Sequence, residues 1–260
     1  MAKATLTRKA AGAGASILLG EMQAPRSPGA RLLELTRPAN RYQRDFHAFL
    51  IELVWTVDES RAGEVRKFPD WPLFHDLCDD LMTEPLLFID KSRRCLATWT
   101  ASAFSVWLMA GGQDRRWSAL MRSRSGRQII LASRKLEDIG GSAYFLRDRV
   151  RWMVEDLEGR GIREHWPEFP TFTWTFSEGR ASNGSRISAV PQGKDQCRGP
   201  GATMVWMEEV SVWEAAQPSI ESAKMTTQGG GHCLLISTAQ VGSYAADIVL
   251  DRIGKPDNWR

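Results

Sequence analysis

The sequence predicts an α/β fold in which a mostly parallel central sheet is flanked by helices. Two observations carry that reading. Short apolar runs of strand character alternate with longer segments of helical periodicity, and two of those runs end in polar residues suited to polyphosphate and metal. With 260 residues, 43% hydrophobic and 25% charged, the chain has the size and composition of one ordinary soluble domain plus appendages.

Residues 1–44 are rich in Ala, Gly and Pro and carry eight Lys/Arg against two Glu, whereas residues 45–260 carry 26 basic against 29 acidic side chains. The net charge of +3 therefore originates in a basic N-terminal arm, expected to be flexible, ahead of a folded domain over 45–260. From Phe46 to Trp55 apolar residues crowd a segment that fits helix or strand equally, before a polar turn over 58–63. Pro72 suits a first helical turn, and Leu73, Leu77 and Leu81 with Phe74 and Cys78 predict a helix over 71–83 that Pro85 stops. A strand over 86–89 follows, then a helix over 98–110 closed by Gly111-Gly112.

A buried strand is expected over 128–132 and a long amphipathic helix over 136–157. Alternation over 171–176 and 186–190, with Gly179, Asn183 and Gly184 between, predicts a β-hairpin insertion. Apolar strands over 203–207 and 233–236 and a helix over 245–252 complete the domain. In such a sheet, ligands bind at the carboxyl ends of the strands.

Four cysteines without C-x-x-C spacing indicate neither a zinc site nor a disulfide framework, and no window approaches the length of a membrane helix. His47, His75, His165 and His232 lack metal-ligand spacing and read as structural. Seven Lys/Arg and no acid lie between Arg115 and Lys135, a run that can track a nucleic-acid backbone but more often is a solvated connection.

The chemistry-bearing residues follow two strands. Lys91-Ser92-Arg93-Arg94-Cys95-Leu96-Ala97-Thr98 begins directly after Leu86-Leu87-Phe88-Ile89 and ends where a helix starts. Strand, loop, helix is the order that turns successive N–H groups and a helix N-terminus toward a phosphate. The spelling is not G-x-x-x-x-G-K-[ST]; the lysine enters from the start of the loop, and Thr98 supplies the hydroxyl for Mg²⁺. Glu208-Glu209 directly follows Met204-Val205-Trp206-Met207. There Glu208 is a candidate metal ligand and Glu209 a candidate base for an attacking water. Either segment alone reads as a basic turn or an exposed helix start; two strand-plus-motif units in this order favour an ATPase. Arg198, ahead of the second strand, is a candidate finger toward a neighbouring subunit's nucleotide, and Ser237-Thr238 after the next strand a candidate γ-phosphate sensor.

Taken in order, the loop Lys91–Thr98, Ile129-Ile130-Leu131-Ala132-Ser133, Arg198-Gly199, Met204 to Glu209 and Leu235-Ile236-Ser237-Thr238 resemble the ATPase domain of the large terminase subunit, the motor that packages DNA into tailed-phage and related viral capsids. The resemblance runs from about Phe68 to Gln240, with Leu96-Ala97 where Gly-Lys is expected and Glu208 where Asp is expected. It implies a P-loop NTPase of the additional-strand (ASCE, RecA-like) type that binds ATP and Mg²⁺. Lys91 and Arg94 would contact phosphate within the loop Lys91, Ser92, Arg93, Arg94, Cys95, Leu96, Ala97 and Thr98. Thr98 and Glu208 would bind magnesium, Glu209 would activate water, Arg198 would act in trans, and Ser237 and Thr238 would couple hydrolysis to movement.

The implied function is translocation of double-stranded DNA into a procapsid, in the host cytoplasm, by a homo-oligomeric ring that meets a portal protein and a small terminase subunit. The family's nuclease domain is not expected within this chain. Competing expectations are a catalytically degenerate nucleotide-binding or DNA-scaffolding protein and a helicase-like translocase.

Overall fold

The computed structural model of the protein describes residues 40–58, 63–92, 95–117, 126–136, 143–198, 201–238, 240 and 242–251. Arg93, Arg94, Gly199, Arg122, Arg124 and nearly all of the expected basic arm lie outside the described residues.

Two helices open the domain, α1 (Arg41–Arg44) and α2 (Phe46–Leu53). The Asp45 carboxylate accepts from the Ala48 N–H at 2.9 Å and caps α2, which settles the segment that the sequence left open between helix and strand. Residues 40–44, expected with the arm, fold onto the domain: the Trp107 indole N–H donates to the Tyr42 carbonyl at 2.6 Å, and the Gln43 amide donates to the Gly111 carbonyl at 3.0 Å. Next come β1 (Trp55–Asp58) and β2 (Glu64–Lys67), an antiparallel hairpin that forms its own two-stranded sheet.

The central unit continues with α3 (Pro72–Thr83), β3 (Leu86–Asp90), α4 (Ala97–Met109), β4 (Gln128–Ser133), α5 (Ala143–Gly159) and the short α6 (Ile162–His165). Then follow β5 (Phe172–Trp174), β6 (Glu178–Ala181), β7 (Arg186–Pro191), β8 (Met204–Glu208), a 3-10 turn (Val210–Val212), α7 (Ala216–Thr227), β9 (His232–Ser237) and α8 (Tyr244–Asp251). The seven-stranded sheet runs β3-β9-β8-β4-β7-β6-β5. Neighbours from β3 to β7 are parallel, and β5-β6-β7 is an antiparallel meander.

The expected hairpin strands therefore do not pair with each other: β6 lies between them, and β5 is the edge strand of the resulting meander. β6 escaped notice because Gly179 interrupts its pattern; a Cβ there would come within 2.3 Å of the Trp174 ring, so only glycine lets that indole lie on the strand. The long helix begins at Ala143, later than expected; Leu136 is not helical, and residues 137–142 lie outside the described residues. α7 had no counterpart in the sequence reading.

Strand alternation divides the core. Ile129, Leu131, Met204, Trp206, Leu234 and Ile236 join one buried cluster with Phe74 of α3, Phe104 of α4 and Val150 of α5. Ile130, Ala132, Val205, Met207, Cys233 and Leu235 join a second with Ile220 and Ala223 of α7 and Ala245 of α8. Consecutive strand residues point to opposite faces, so these near-continuous apolar runs need helices on both sides. Between α7 and β9 the chain passes so close to the start of β8 that a Cβ on Gly231 would lie 2.3 Å from the Ala202 carbonyl oxygen.

His232, at the start of β9, is buried among Phe104 and Trp117 with Nδ1 at 3.2 Å from the Glu84 carbonyl. Burial pushes its imidazole down to about 4. Above pH 6.5 the ring is neutral in both folded and unfolded chains. As pH falls from there toward 4 only the unfolded chain takes up the proton, so folding stability is lost, by about 3 kcal/mol in full. Urea unfolding at pH 7 and at pH 4.5 should show this loss in the wild type and a correspondingly shallower one in His232→Gln; equal pH slopes would disprove it.

The basic run of the sequence is spread over different environments. Arg116 pairs with Asp114 and Asp79, Arg134 pairs with Glu214, and Arg127 is buried with its guanidinium 5.1 Å from the Trp117 ring centroid.

Candidate phosphate and metal site

The sheet register brings the carboxyl ends of three strands level. Asp90 of β3 pairs with Ser237 of β9, and Ile236 of β9 pairs with Glu208 of β8. β9 therefore sits between the strand that precedes Lys91 and the strand that ends in Glu208, the position of an additional strand. The Lys91 N–H donates to the Ser237 carbonyl at 2.9 Å and the Glu209 N–H to the Ile236 carbonyl at 2.7 Å, which fixes both backbones to β9.

Glu208 and Trp206 are two apart on β8 and face the same side as α4. That geometry lets the Thr98 hydroxyl, on the first turn of α4, donate to Glu208 Oε1 at 2.8 Å. The Lys91 ammonium lies 3.0 Å from Glu208 Oε1 and 3.0 Å from Glu209 Oε1, and 3.4 Å from the Thr98 hydroxyl oxygen. Two tryptophans complete the surroundings of Glu208: the Trp206 indole N–H donates to Oε2 and the Trp213 indole N–H to the main-chain carbonyl, each at 3.0 Å.

The two carboxylates differ in exposure. The Glu208 side chain is 4% exposed and that of Glu209 38%. Burial pushes the Glu208 carboxyl up, against the opposing pull of Lys91 and Thr98. Burial also acts to lower Lys91, but the attraction of Glu208 and Glu209 outweighs it and holds the amine above its ordinary value, firmly an ammonium.

Both non-glycine residues with positive φ among the described residues are in this cluster, Leu96 (φ 59°) and Glu209 (φ 56°). Left-handed backbone costs an L side chain roughly 1–2 kcal/mol per residue. At Leu96 it lets the chain enter α4 abruptly, so that Ala97 and Thr98 begin the helix beside Lys91; at Glu209 it turns the chain off β8 and the carboxylate toward the same ammonium. Strain at both flanks of one cluster is typical of a site whose geometry is held for use.

Of the residues singled out in the sequence, Lys91, Thr98, Glu208 and Glu209 converge directly. Ser237 is adjacent through its carbonyl bond to Lys91, and its hydroxyl oxygen accepts from the Ser211 N–H at 3.1 Å. Ser211 also donates its hydroxyl to the Thr238 carbonyl and meets the Ser237 hydroxyl, which ties the turn after Glu209 to the end of β9. Ser92, Cys95 and Ala97 lie along the loop and helix start. Arg198 pairs instead with Asp195 at 2.9 Å, and no contact among the described residues links it to Lys91. Trp206, Trp213 and Ser211 were missed. The position of Trp206 two residues before Glu208 on a strand was the available signal for the first; the others depend on the turn after β8.

The donor set suits Mg²⁺ and a polyphosphate. Mg²⁺ takes hard oxygen ligands such as one carboxylate and one hydroxyl, and Glu208 and Thr98 already meet at hydrogen-bond distance. The amino end of the 13-residue α4 and the Lys91 ammonium face the same place, where helix dipole and cation both favour anionic oxygens.

No protein-family model matches the chain, and no curated protein matches it. Among solved structures, the large terminase of bacteriophage HK97 aligns over 84% of this chain at 14% sequence identity with a TM-score of 0.55. The chain spans 42% of that protein's length. A large terminase ATPase domain of Thermus phage P74-26 aligns over 70% of each chain at 15% identity and TM-score 0.46. The large terminase of a thermophilic bacteriophage in complex with ADP aligns over 59% of this chain and 34% of its own at 11% identity and TM-score 0.41. In its architecture, a mostly parallel sheet with an additional strand between the Lys91 and Glu208 strands and helices on both faces, the chain shares the fold of the aligned part of the HK97 large terminase.

Proposed function

We propose that the folded domain, which takes in residues 40–44 as well as the expected 45–260, forms the ATP-hydrolysing motor of a terminase large subunit that drives double-stranded DNA into a procapsid, with the residues before it as a basic arm. The observation that carries this reading is the convergence of Lys91, Thr98, Glu208 and Glu209 on one rim of a sheet of that fold. Bound ATP·Mg²⁺ supplies a cleavable phosphoanhydride whose charge the ion offsets. The chain's own residues do the rest. Lys91 and the loop N–H groups from Ser92 to Thr98, with Arg93 and Arg94, hold the outer phosphates. Thr98 and buried Glu208 hold the ion. The more exposed Glu209 orients a water and accepts its proton.

Ser237 and Thr238 couple this centre to movement through the bonds that run from Lys91 to Ser211. Arg198, paired within its own chain to an exposed Asp195, is free to exchange that partner for a neighbouring subunit's nucleotide in a ring. Portal protein and small terminase subunit are the proposed partners and the host cytoplasm the proposed site of action. Among the described residues no helix is long and apolar enough to cross a membrane.

One observation favours the inert alternative. Lys91 is engaged by two carboxylates, and a phosphate must compete for it. ATP turnover of the purified chain, with and without double-stranded DNA, decides between the two: Mg²⁺-dependent phosphate release that DNA accelerates supports the motor. ATP binding without turnover at high protein concentration would leave the inert reading standing.

A further inference from the structure

A second group of metal-ligating side chains meets outside the Lys91 cluster. His47 follows the first residue of α2, Asp70 lies in the segment between β2 and α3, and His75 is on the first turn of α3. His75 Nε2 lies 3.0 Å from Asp70 Oδ1, and His47 Nε2 lies 3.6 Å from the same oxygen. One ligand atom from each of the three residues falls within 4.8 Å of the others. The two imidazoles face each other, with ring centroids 3.9 Å apart and planes tilted by 35°. His47 Nε2 is shielded from solvent and has no hydrogen-bond partner.

We propose that His47, Asp70 and His75 form a binding site for a divalent transition metal ion of the Zn²⁺ class. A tetrahedral ion with ligand bonds of about 2.0–2.1 Å holds its ligand atoms about 3.3 Å apart. The observed 3.0 and 3.6 Å bracket that spacing. Two imidazoles and one carboxylate are a set that borderline ions prefer over Mg²⁺ or Ca²⁺, which take oxygen. A simple ion pair accounts for His75 and Asp70 but leaves the shielded His47 nitrogen 3.6 Å from Asp70 and without a hydrogen bond, a costly arrangement that a shared ion relieves. Asp70 and His75 are open to solvent, so water completes the coordination. The ion clips the start of α2 to the start of α3, the two helices between which the β1–β2 hairpin is inserted.

Calorimetric titration of the full chain with ZnCl₂, without nucleotide or chelator, tests this together with thermal unfolding. The wild type should bind one equivalent, and its Tm should rise by roughly 5 °C or more when zinc is a hundredfold above its Kd. His75→Gln and Asp70→Asn alter exposed side chains, and their circular dichroism should match the wild type. Each should weaken binding at least about tenfold, the loss that even outer partners of a metal cause. His47→Gln should do the same. Absence of binding in the wild type, or the same affinity and Tm shift in all three variants, overturns the proposal.

Discussion

Glu209→Gln is expected to lower ATP turnover about 10²- to 10⁴-fold, the usual contribution of a positioned general base. The substitution keeps shape and removes the negative charge, and with it both the ability to accept a proton and the ion pair to Lys91. It leaves Lys91 with its contact to buried Glu208 and leaves Thr98 and Glu208 as they are, so ATP affinity should change little. The split matters because the two acidic residues are assigned different work from different surroundings. Glu208 is enclosed by two indoles, a hydroxyl and an ammonium, whereas Glu209 keeps more than a third of its side chain in solvent, where a water can reach it. Equilibrium binding of a fluorescent ATP analogue, paired with single-turnover phosphate release, separates binding from chemistry. Turnover within about threefold of wild type in Glu209→Gln would remove this residue from the reaction, because a base contributes far more than that.

The sequence made the sheet legible because its interior strands are buried on both faces and therefore read as unbroken apolar runs, as in residues 204–207 and 233–236. It also made the cluster legible, since Lys91 and Glu208-Glu209 each follow such a run and parallel strands bring their carboxyl ends to one rim. What it concealed depended on contacts far apart in the chain. α7 carries Ala216, Ser219, Ile220 and Ala223 inward, a face of small and polar residues with little apolar contrast. β6 is four residues long with a central glycine. Asp70 and His75 are close in the chain, but the hairpin β1–β2 separates His47 from them, and only tertiary packing brings the three together. Leu96 is the opposite case. Its sequence neighbourhood favours glycine for a left-handed entry into a helix, yet the chain adopts that conformation with a leucine whose side chain packs against the core.

Lys91→Met is expected to destabilise the domain by about 3–5 kcal/mol near pH 8, the cost of leaving one member of a buried pair behind. Glu208 would keep its bonds from Thr98 and Trp206 but lose the one cation that pairs with it among the described residues. Burial already raises the Glu208 carboxyl, and loss of the ammonium raises it further. The folded variant then keeps its proton to higher pH than the unfolded chain does, whose glutamate releases it near 4.3. Stability of the variant must therefore fall as pH rises through this interval. Lys91 itself is raised, so its contribution in the wild type is lost only above about pH 10.4 and introduces no slope between pH 5.5 and 8. Urea unfolding at those two pH values should show a steeper decline for Lys91→Met than for the wild type. Lys91→Met combined with Glu208→Gln removes the stranded charge, so most of the stability should return and the extra pH slope should vanish. If the single and double variants unfold alike at both pH values, Glu208 is not a stranded buried charge in Lys91→Met, and the expected destabilisation has no basis in it.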